Sequence, residues 1–254
     1  MAKKTASKVD EPDFMDMYEG SEGEGFENVS QDDLGIPFIS ILQKGSPECD
    51  EDHAKHVDGA KPGMIINSVT KEVLGGRGEP ITFIPCAYHK LYVEWTPRER
   101  GGGFVGSHDI KIMEQVERDA TGKDVLSNGN IIVTTAYFFG LLVEEGATSR
   151  CVVAFTSTQL KKARQWLSAM ASLKMKKKDG TNFNPPMYSH TYHMSTLPES
   201  NDKGSWFGWK IDNAGVVGEI NQIKEAKEVN RLVKSGGMQS SRLLQAHEAT
   251  DRLM

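Results

Sequence analysis

The sequence predicts an α+β fold in which a barrel-like antiparallel sheet carries one inserted helix. Three observations lead to this class. Apolar and polar residues alternate over several segments, as they do in strands. One segment, 157–175, instead repeats apolar residues at intervals of three and four, as a helix does. The chain has 254 residues, 38% of them hydrophobic and 26% charged, which is enough for an ordinary core, and it lacks the run of about 18 apolar residues that a membrane helix needs.

The first 35 residues are expected to form a disordered acidic arm. They hold three lysines against ten aspartates and glutamates, a net charge of -7, and they show neither a helical nor a strand period. Apolar side chains are scattered among the carboxylates: Phe14, Met15, Met17, Tyr18 and Phe26. We expect the arm either to solubilise the chain or to bind a basic surface, where it would compete with a polyanion.

Order is expected to begin near Ile36, with a first strand at 64–69 and the clearest strand at 81–95. Alternation along the second strand predicts a core face of Ile81, Phe83, Leu91, Val93 and Trp95. Tyr88, Lys90 and Tyr92 fall on the opposite face. Pro85 has no backbone N–H, so it predicts a bulge or an edge within this strand.

The middle of the chain is predicted to hold a long loop, a hairpin and a helix. Residues 96–130 are mostly polar and glycine-rich, so we interpret them as a long loop in which 110–118 could be partly helical. Two nearly continuous apolar segments, 131–143 and 150–155, form the hairpin. Thr156 and Gln159 are spaced as a capping box that would begin the helix.

Two further strands are predicted at 187–197 and 205–212, followed by helices in the last 36 residues. Three strands, a helix and two strands is the element order of the OB-fold, a five-stranded barrel that binds oligonucleotides. The sequence therefore divides into an acidic arm (1–35), an OB-like nucleic-acid-binding domain (36–218) and a C-terminal helical tail (219–254).

Catalytic motifs are not found, so we predict a protein that is not an enzyme and needs no cofactor. The glycine clusters at 75–78 and 101–103 lack the Lys-Ser/Thr of a phosphate loop, and no Gly-x-Ser-x-Gly elbow occurs. A metal-dependent nuclease is the least supported alternative. The three cysteines argue against a disulfide framework and for a reducing compartment, the host cytoplasm.

One group of residues has the chemistry of a zinc site: Cys49, His53, His56, Cys86 and His89. Cys86 and His89 lie three apart on a predicted strand, however, and would point to opposite faces. A buried Cys86 with surface histidines is the favoured alternative.

Aromatic and basic residues interleave on three predicted strands, as a protein that binds single-stranded DNA requires. Bases stack on aromatic rings, while lysine and arginine neutralise phosphates. Residues 157–178 add seven basic residues and no acidic one. The predicted contacts are Tyr88, Lys90, Tyr92, Arg98, Arg100, Lys161, Lys162, Lys177, Trp206 and Lys210. Each aromatic residue could instead cover core, and lysines at a helix end also complement its dipole.

Several motifs resemble a protein family of tailed bacteriophages. They include Gln43-Lys44-Gly45-Ser46-Pro47, Glu94-Trp95-Thr96-Pro97-Arg98, Ser157-Thr158-Gln159-Leu160-Lys161 and Asn201-Asp202-Lys203-Gly204-Ser205-Trp206. The resemblance covers residues 36–212. Members of such families are sometimes described as single-stranded DNA-binding proteins.

The resemblance implies a single-stranded DNA-binding protein without sequence preference, acting in phage DNA replication or recombination. We also expect no membrane partner, and phage replication proteins are candidate partners of the acidic arm. The alternative is a protein-interaction factor that binds a host or phage enzyme through the arm and the C-terminal helices.

Overall fold

The structure is a computed structural model that describes residues 35–202 and 204–236, together with residues 21, 24, 25, 27 and 28. The chain divides into two compact units, Met1–Leu34 and Gly35–Met254, and the second is described below. Nearly all of the predicted acidic arm and the end of the predicted C-terminal helical tail, 237–254, lie outside the described residues, so both stay predictions. Within the described residues, no helix is both long and apolar enough to cross a membrane.

The described chain is a mixed α+β fold of mostly antiparallel strands. In chain order its strands are β1 (Ile39–Ile41), β2 (Ile65–Asn67), β3 (Val73–Gly75), β4 (Ile81–Trp95), β5 (Phe104–His108), β6 (Val116–Arg118), β7 (Asp124–Leu126), β8 (Ile131–Glu144), β9 (Ala147–Thr156), β10 (Met175–Lys176), β11 (Asn182–Phe183), β12 (His190–Asn201) and β13 (Gly204–Val216). Its α-helices are α1 (Leu160–Ser172) and α2 (Ile220–Lys234).

Five long strands form the central sheet in the order β13-β12-β4-β8-β9. Each corresponds to a strand predicted from the sequence. The sheet is buried on both faces, since α1 packs against one side and α2 against the other. This double burial explains why β8 and β9 are nearly continuously apolar.

The predicted barrel is not closed. Within the described residues, no hydrogen-bonded ladder joins β9 to β13, which are the two edges of the central sheet. The segment before β1 covers part of the β9 edge, because the N–H of Val152 donates to the carbonyl of Pro37 at 2.9 Å. The remaining gap between the edges holds the candidate site.

The predicted loop at 96–130 contains three short strands, so the prediction of a long loop is wrong, although a 3₁₀ helix, Ile110–Gln115, lies within the stretch that was expected to be partly helical. β5 pairs with the end of β4, and β7 pairs with the start of β8. The carboxylate of Glu94 anchors this region by accepting hydrogen bonds from Asn130 Nδ2 at 2.5 Å and from His108 Nε2 at 2.8 Å. Strands of three to five residues show too few alternations to be recognised in a sequence.

A bulge in β4 corrects the predicted core face of this strand. The register with β8 shifts between Pro85 and Ala87, which confirms the bulge predicted from Pro85. The extra residue reverses the alternation. Phe83 therefore belongs to the core cluster beneath α1, whereas Val93 belongs to the cluster beneath α2. The prediction that both share one face is wrong.

Candidate functional site

A cavity of about 400 Å³ lies between the two edges of the central sheet. β13 contributes aromatic side chains to its wall, and β9 contributes Ala154 and Thr156. The opposite sides are formed by the chain around β1, from Phe38 to Gly45, and by the 3₁₀ turn Ser157–Gln159 that precedes α1. The lining is largely apolar, with the hydroxyl groups of Ser40, Ser157, Thr158 and Ser205 among it.

Side chains take the place of a neighbouring strand along the outer edge of β13. The backbone N–H of Phe207 donates to Gln43 Oε1 at 2.8 Å, and Gln43 Nε2 donates to the Phe207 carbonyl at 2.9 Å. The N–H of Trp209 donates to Gln159 Oε1 at 3.1 Å, and Lys162 Nζ donates to the Trp209 carbonyl at 2.6 Å. These edge groups are satisfied without a strand, so the gap beside β13 stays open.

Gln159 therefore does not serve as the capping-box residue that the sequence predicted. The 3₁₀ turn preceding α1 has no side-chain capping bond, because the Gln159 amide is used by Trp209 and by Glu199 instead.

A half-buried carboxylate, Glu199, holds the cavity wall in place. Glu199 accepts hydrogen bonds from Lys162 Nζ at 2.7 Å, Gln159 Nε2 at 3.0 Å and Trp206 Nε1 at 2.8 Å. Burial is the largest influence and raises the pKa of Glu199, but these bonds and the charge of Lys162 together hold that pKa below its ordinary value. Glu199 is therefore ionised at neutral pH and fixes the Trp206 indole at the cavity.

Gly208 is the position where this cluster leaves no room for a side chain. A Cβ there would lie 2.2 Å from Glu199 Oε2 and 2.7 Å from both Gln159 Nε2 and Lys162 Nζ. All three atoms end flexible side chains, which can move. We expect Gly208→Ala to cost only about 1–2 kcal/mol of unfolding free energy but to displace the Trp206 indole, seen as a shift of its Nε1–H NMR resonance. Gly218→Ala is the control, since Gly218 has open space around it; an unshifted indole resonance in Gly208→Ala would contradict this account.

A group of cations with no acidic residue between them extends from the start of α1 to the β10–β11 hairpin. We call it the basic tract; its members are Lys161, Arg164, Lys174, Lys176, Lys177 and Lys178. All six are exposed. Within the described residues none of them has an ion-pair partner, so their charge is available to a ligand.

The predicted contact residues fall into separate places. Lys161 and Lys177 belong to the basic tract, and Trp206 lines the cavity. Lys162 lies beside them but is half-buried and engaged with Glu199 and Trp209. Lys210 is exposed on β13 and forms an ion pair with Asp212 at 2.9 Å.

The other predicted residues lie on the second half of β4 and just after it. Tyr92 is only 5% exposed, and Lys90 Nζ lies 5.3 Å from the centre of its ring. These two do share a face with Tyr88, as predicted, but Tyr88 is half-buried and packs edge-on against Phe138 at 5.2 Å. This face offers little open ring surface for a base to stack on.

The two arginines that follow β4 differ in their contacts. Arg98 is exposed. The Arg100 guanidinium donates to the carbonyl of Asn128 at 2.9 Å and to Asn130 Oδ1 at 2.8 Å, so it holds the region after β7 to the end of β4.

Strand register shows that the two groups of predicted contacts do not form one platform. Ile81 of β4 pairs with Met194 of β12. Trp206 pairs with Glu199, which lies five residues beyond Met194 in β12. Tyr88 lies seven residues beyond Ile81 in β4, and because the two strands are antiparallel this is the opposite direction. About twelve positions at roughly 3.3 Å each correspond to on the order of 40 Å along the strands. The third strand predicted to interleave aromatic and basic residues, with Tyr188, His190 and Tyr192, offers no open face either, because His190 is buried and Tyr192 is buried against Trp166.

The residues considered for zinc are not assembled into a site. Among the described residues, no three His, Cys, Asp or Glu side chains lie close enough together to hold a metal ion. Cys86 is fully buried, as the alternative to zinc predicted, and burial raises the pKa of its thiol. His89 is exposed, with its ring 5.5 Å from that of Phe139.

Comparison with known sequences identifies the family. Residues 2–239 match the Pam3 phage gp34-like protein family. The chain belongs to this family. The match confirms the resemblance to a bacteriophage family and extends it beyond residues 36–212, into the acidic arm and through α2. No curated protein and no solved structure matches the sequence.

In this member of the family, three of the motifs that carried the resemblance meet at the cavity. Gln43-Lys44-Gly45, Ser157-Thr158-Gln159 and Ser205-Trp206 are far apart in the sequence, yet all of them line it. Of these positions, only Trp206 is among the contacts predicted from the sequence. Ser157 carries a further signal that only the structure shows: its φ is 46°, a strained conformation for a residue with a side chain and one that is concentrated at functional sites.

Proposed function

We propose that this protein binds single-stranded DNA without sequence preference, through the basic tract and the adjacent aromatic cavity. The observation that carries the proposal is their adjacency: Lys161, the first cation of the exposed basic tract, follows by two residues Gln159, which lines a cavity together with Trp206, Phe207 and Trp209. Single-strand binders combine a basic track for phosphates with aromatic rings for bases.

The topology supports the same function. β4, β8 and β9, then α1, then β12 and β13 follow the element order of an OB-fold, whose oligonucleotide site lies on the sheet face and its loops. The third and fifth of these strands are the edges that flank the cavity. We therefore propose an OB-like core in which side chains, instead of a hydrogen-bonded ladder, occupy the gap between β9 and β13.

The interaction-factor alternative has less support from the described residues. The apolar stripe of α2 packs against the central sheet, where Ala226, Val229 and Val233 are buried, so this stripe does not face a partner. The replication-protein partners of the acidic arm and the host cytoplasm as location stay predictions.

Fluorescence anisotropy with labelled oligo-dT across a salt series tests the proposed function. We expect tight binding at low salt that weakens steadily as salt rises, with a slope of about 0.7 per phosphate contact. The same experiment with oligo-rU and with duplex DNA shows whether RNA or double strands are preferred. Absence of oligo-dT binding at low salt, or tighter binding to duplex, overturns the proposal.

A further inference from the structure

We propose that the cavity between β9 and β13 holds one nucleobase of the bound strand, while Lys44 and the start of the basic tract contact the phosphates on either side. This inference rests on the proposed function and names the part of the ligand that the cavity takes. Its volume of about 400 Å³ lies within the range of roughly 300–1,000 Å³ of small-ligand sites.

The aromatic wall is fixed before any ligand arrives. The Trp206 indole is held by Glu199 at 2.8 Å. Phe207 packs directly on Gly63, where a Cβ would lie 2.7 Å from its ring. Rings that are already fixed lose little conformational freedom on binding, so they make efficient stacking surfaces.

The polar groups of the lining predict that the cavity accepts any of the four bases. The side-chain amides of Gln43 and Gln159 at the cavity are already hydrogen-bonded to the backbone of β13. The lining also carries hydroxyl groups, among them those of Ser40, Ser157 and Thr158, and that of Ser205, which accepts a hydrogen bond from Lys44. A hydroxyl can donate or accept a hydrogen bond, so these groups can match the edge of a purine or a pyrimidine alike.

Cations stand on two sides of the cavity. Lys44 is an exposed lining residue whose Nζ donates to Ser205 Oγ at 3.0 Å, and within the described residues it has no carboxylate partner. Lys161 follows the lining residue Gln159 by two positions, on a chain segment other than that of Lys44, and is also exposed. A strand that places a base between them brings its flanking phosphates towards both charges. A neutral apolar peptide would leave both charges without a partner, so a nucleotide fits this site better.

The test compares oligo-dT with an abasic strand of the same length, which keeps every phosphate and lacks the bases. We expect the native protein to bind oligo-dT more tightly by about 5- to 150-fold, the range for one stacked base. Trp206→Ala should remove most of this difference and Trp206→Phe should restore part of it. Thr158→Trp, which adds a large ring at an exposed position of the cavity, should abolish the difference even if Trp206→Ala folds poorly.

Trp95→Phe is the matched control, because Trp95 lies at the far end of β4 and packs against Phe104; it should leave the difference unchanged. Equal binding of both strands by the native protein, or a difference that persists in the Trp206→Ala and Thr158→Trp variants, overturns the base site while leaving DNA binding in place. If neither strand binds, the proposed function itself has failed. A short apolar peptide that competes with oligo-dT in the native protein but not in Thr158→Trp would also overturn a nucleobase as the occupant.

Discussion

Replacing Lys174, Lys176, Lys177 and Lys178 together with alanine is expected to weaken oligo-dT binding by several hundred-fold near 0.1 M salt. Each phosphate contact with a single strand contributes about 0.7 to the slope of log affinity against log salt, so each lost contact costs roughly fivefold at that salt concentration. Four contacts multiply to several hundred-fold, and the slope should fall by roughly three. The four side chains are exposed and without ion-pair partners in the described chain. Only Lys174 gives up a side-chain hydrogen bond, to the exposed Asn184, so the fold should survive.

A second quadruple variant distinguishes the effect of the basic tract on binding from the effect of net charge alone. Lys111, Lys123, Lys224 and Lys227 are also exposed but lie away from α1 and the β10–β11 hairpin. Changing all four to alanine alters the net charge by the same amount, and we expect only a few-fold loss with the slope retained. Equal losses in the two variants, measured by anisotropy after matched thermal midpoints are established, would contradict a localised track.

The sequence predicts the strands of this fold well where they are long. β4, β8, β9, β12 and β13 each have ten or more residues, so their alternation or continuous apolar character stands out. α1 is equally clear from its spacing. The short strands β5, β6 and β7 are set by tertiary pairing with β4 and β8 rather than by local pattern, and a local pattern is all that a single sequence displays.

The candidate site is harder to predict because its contacts join distant positions. Gln43 pairs with the backbone of Phe207 across 164 residues, and nothing near Gln43 indicates that its amide substitutes for a strand. Trp206 and Lys161 are recognisable as aromatic and basic residues, but Tyr92 has the same appearance in the sequence and is buried. The bulge in β4 is predicted correctly from Pro85, and this single extra residue is enough to turn the residues after it to the opposite face of the sheet.

Gly140→Ala is expected to destabilise the protein by about 3 kcal/mol or more, at the upper end of overpacking costs. Gly140 lies in β8 opposite Pro85, at the bulge of β4, where a Cβ would lie 2.3 Å from Phe83 Cζ and 2.4 Å from the Ile84 carbonyl oxygen. The ring could rotate, but the oxygen belongs to the β4 backbone and can retreat only if the central ladder opens. Urea unfolding should show the loss as a lower midpoint, whereas Gly218→Ala, with open space and no positive φ, should stay within about 0.5 kcal/mol of the native protein. An unchanged midpoint in Gly140→Ala would mean that the bulge can shift to admit the methyl group, and the reversal of the β4 faces would then not depend on a glycine at this position.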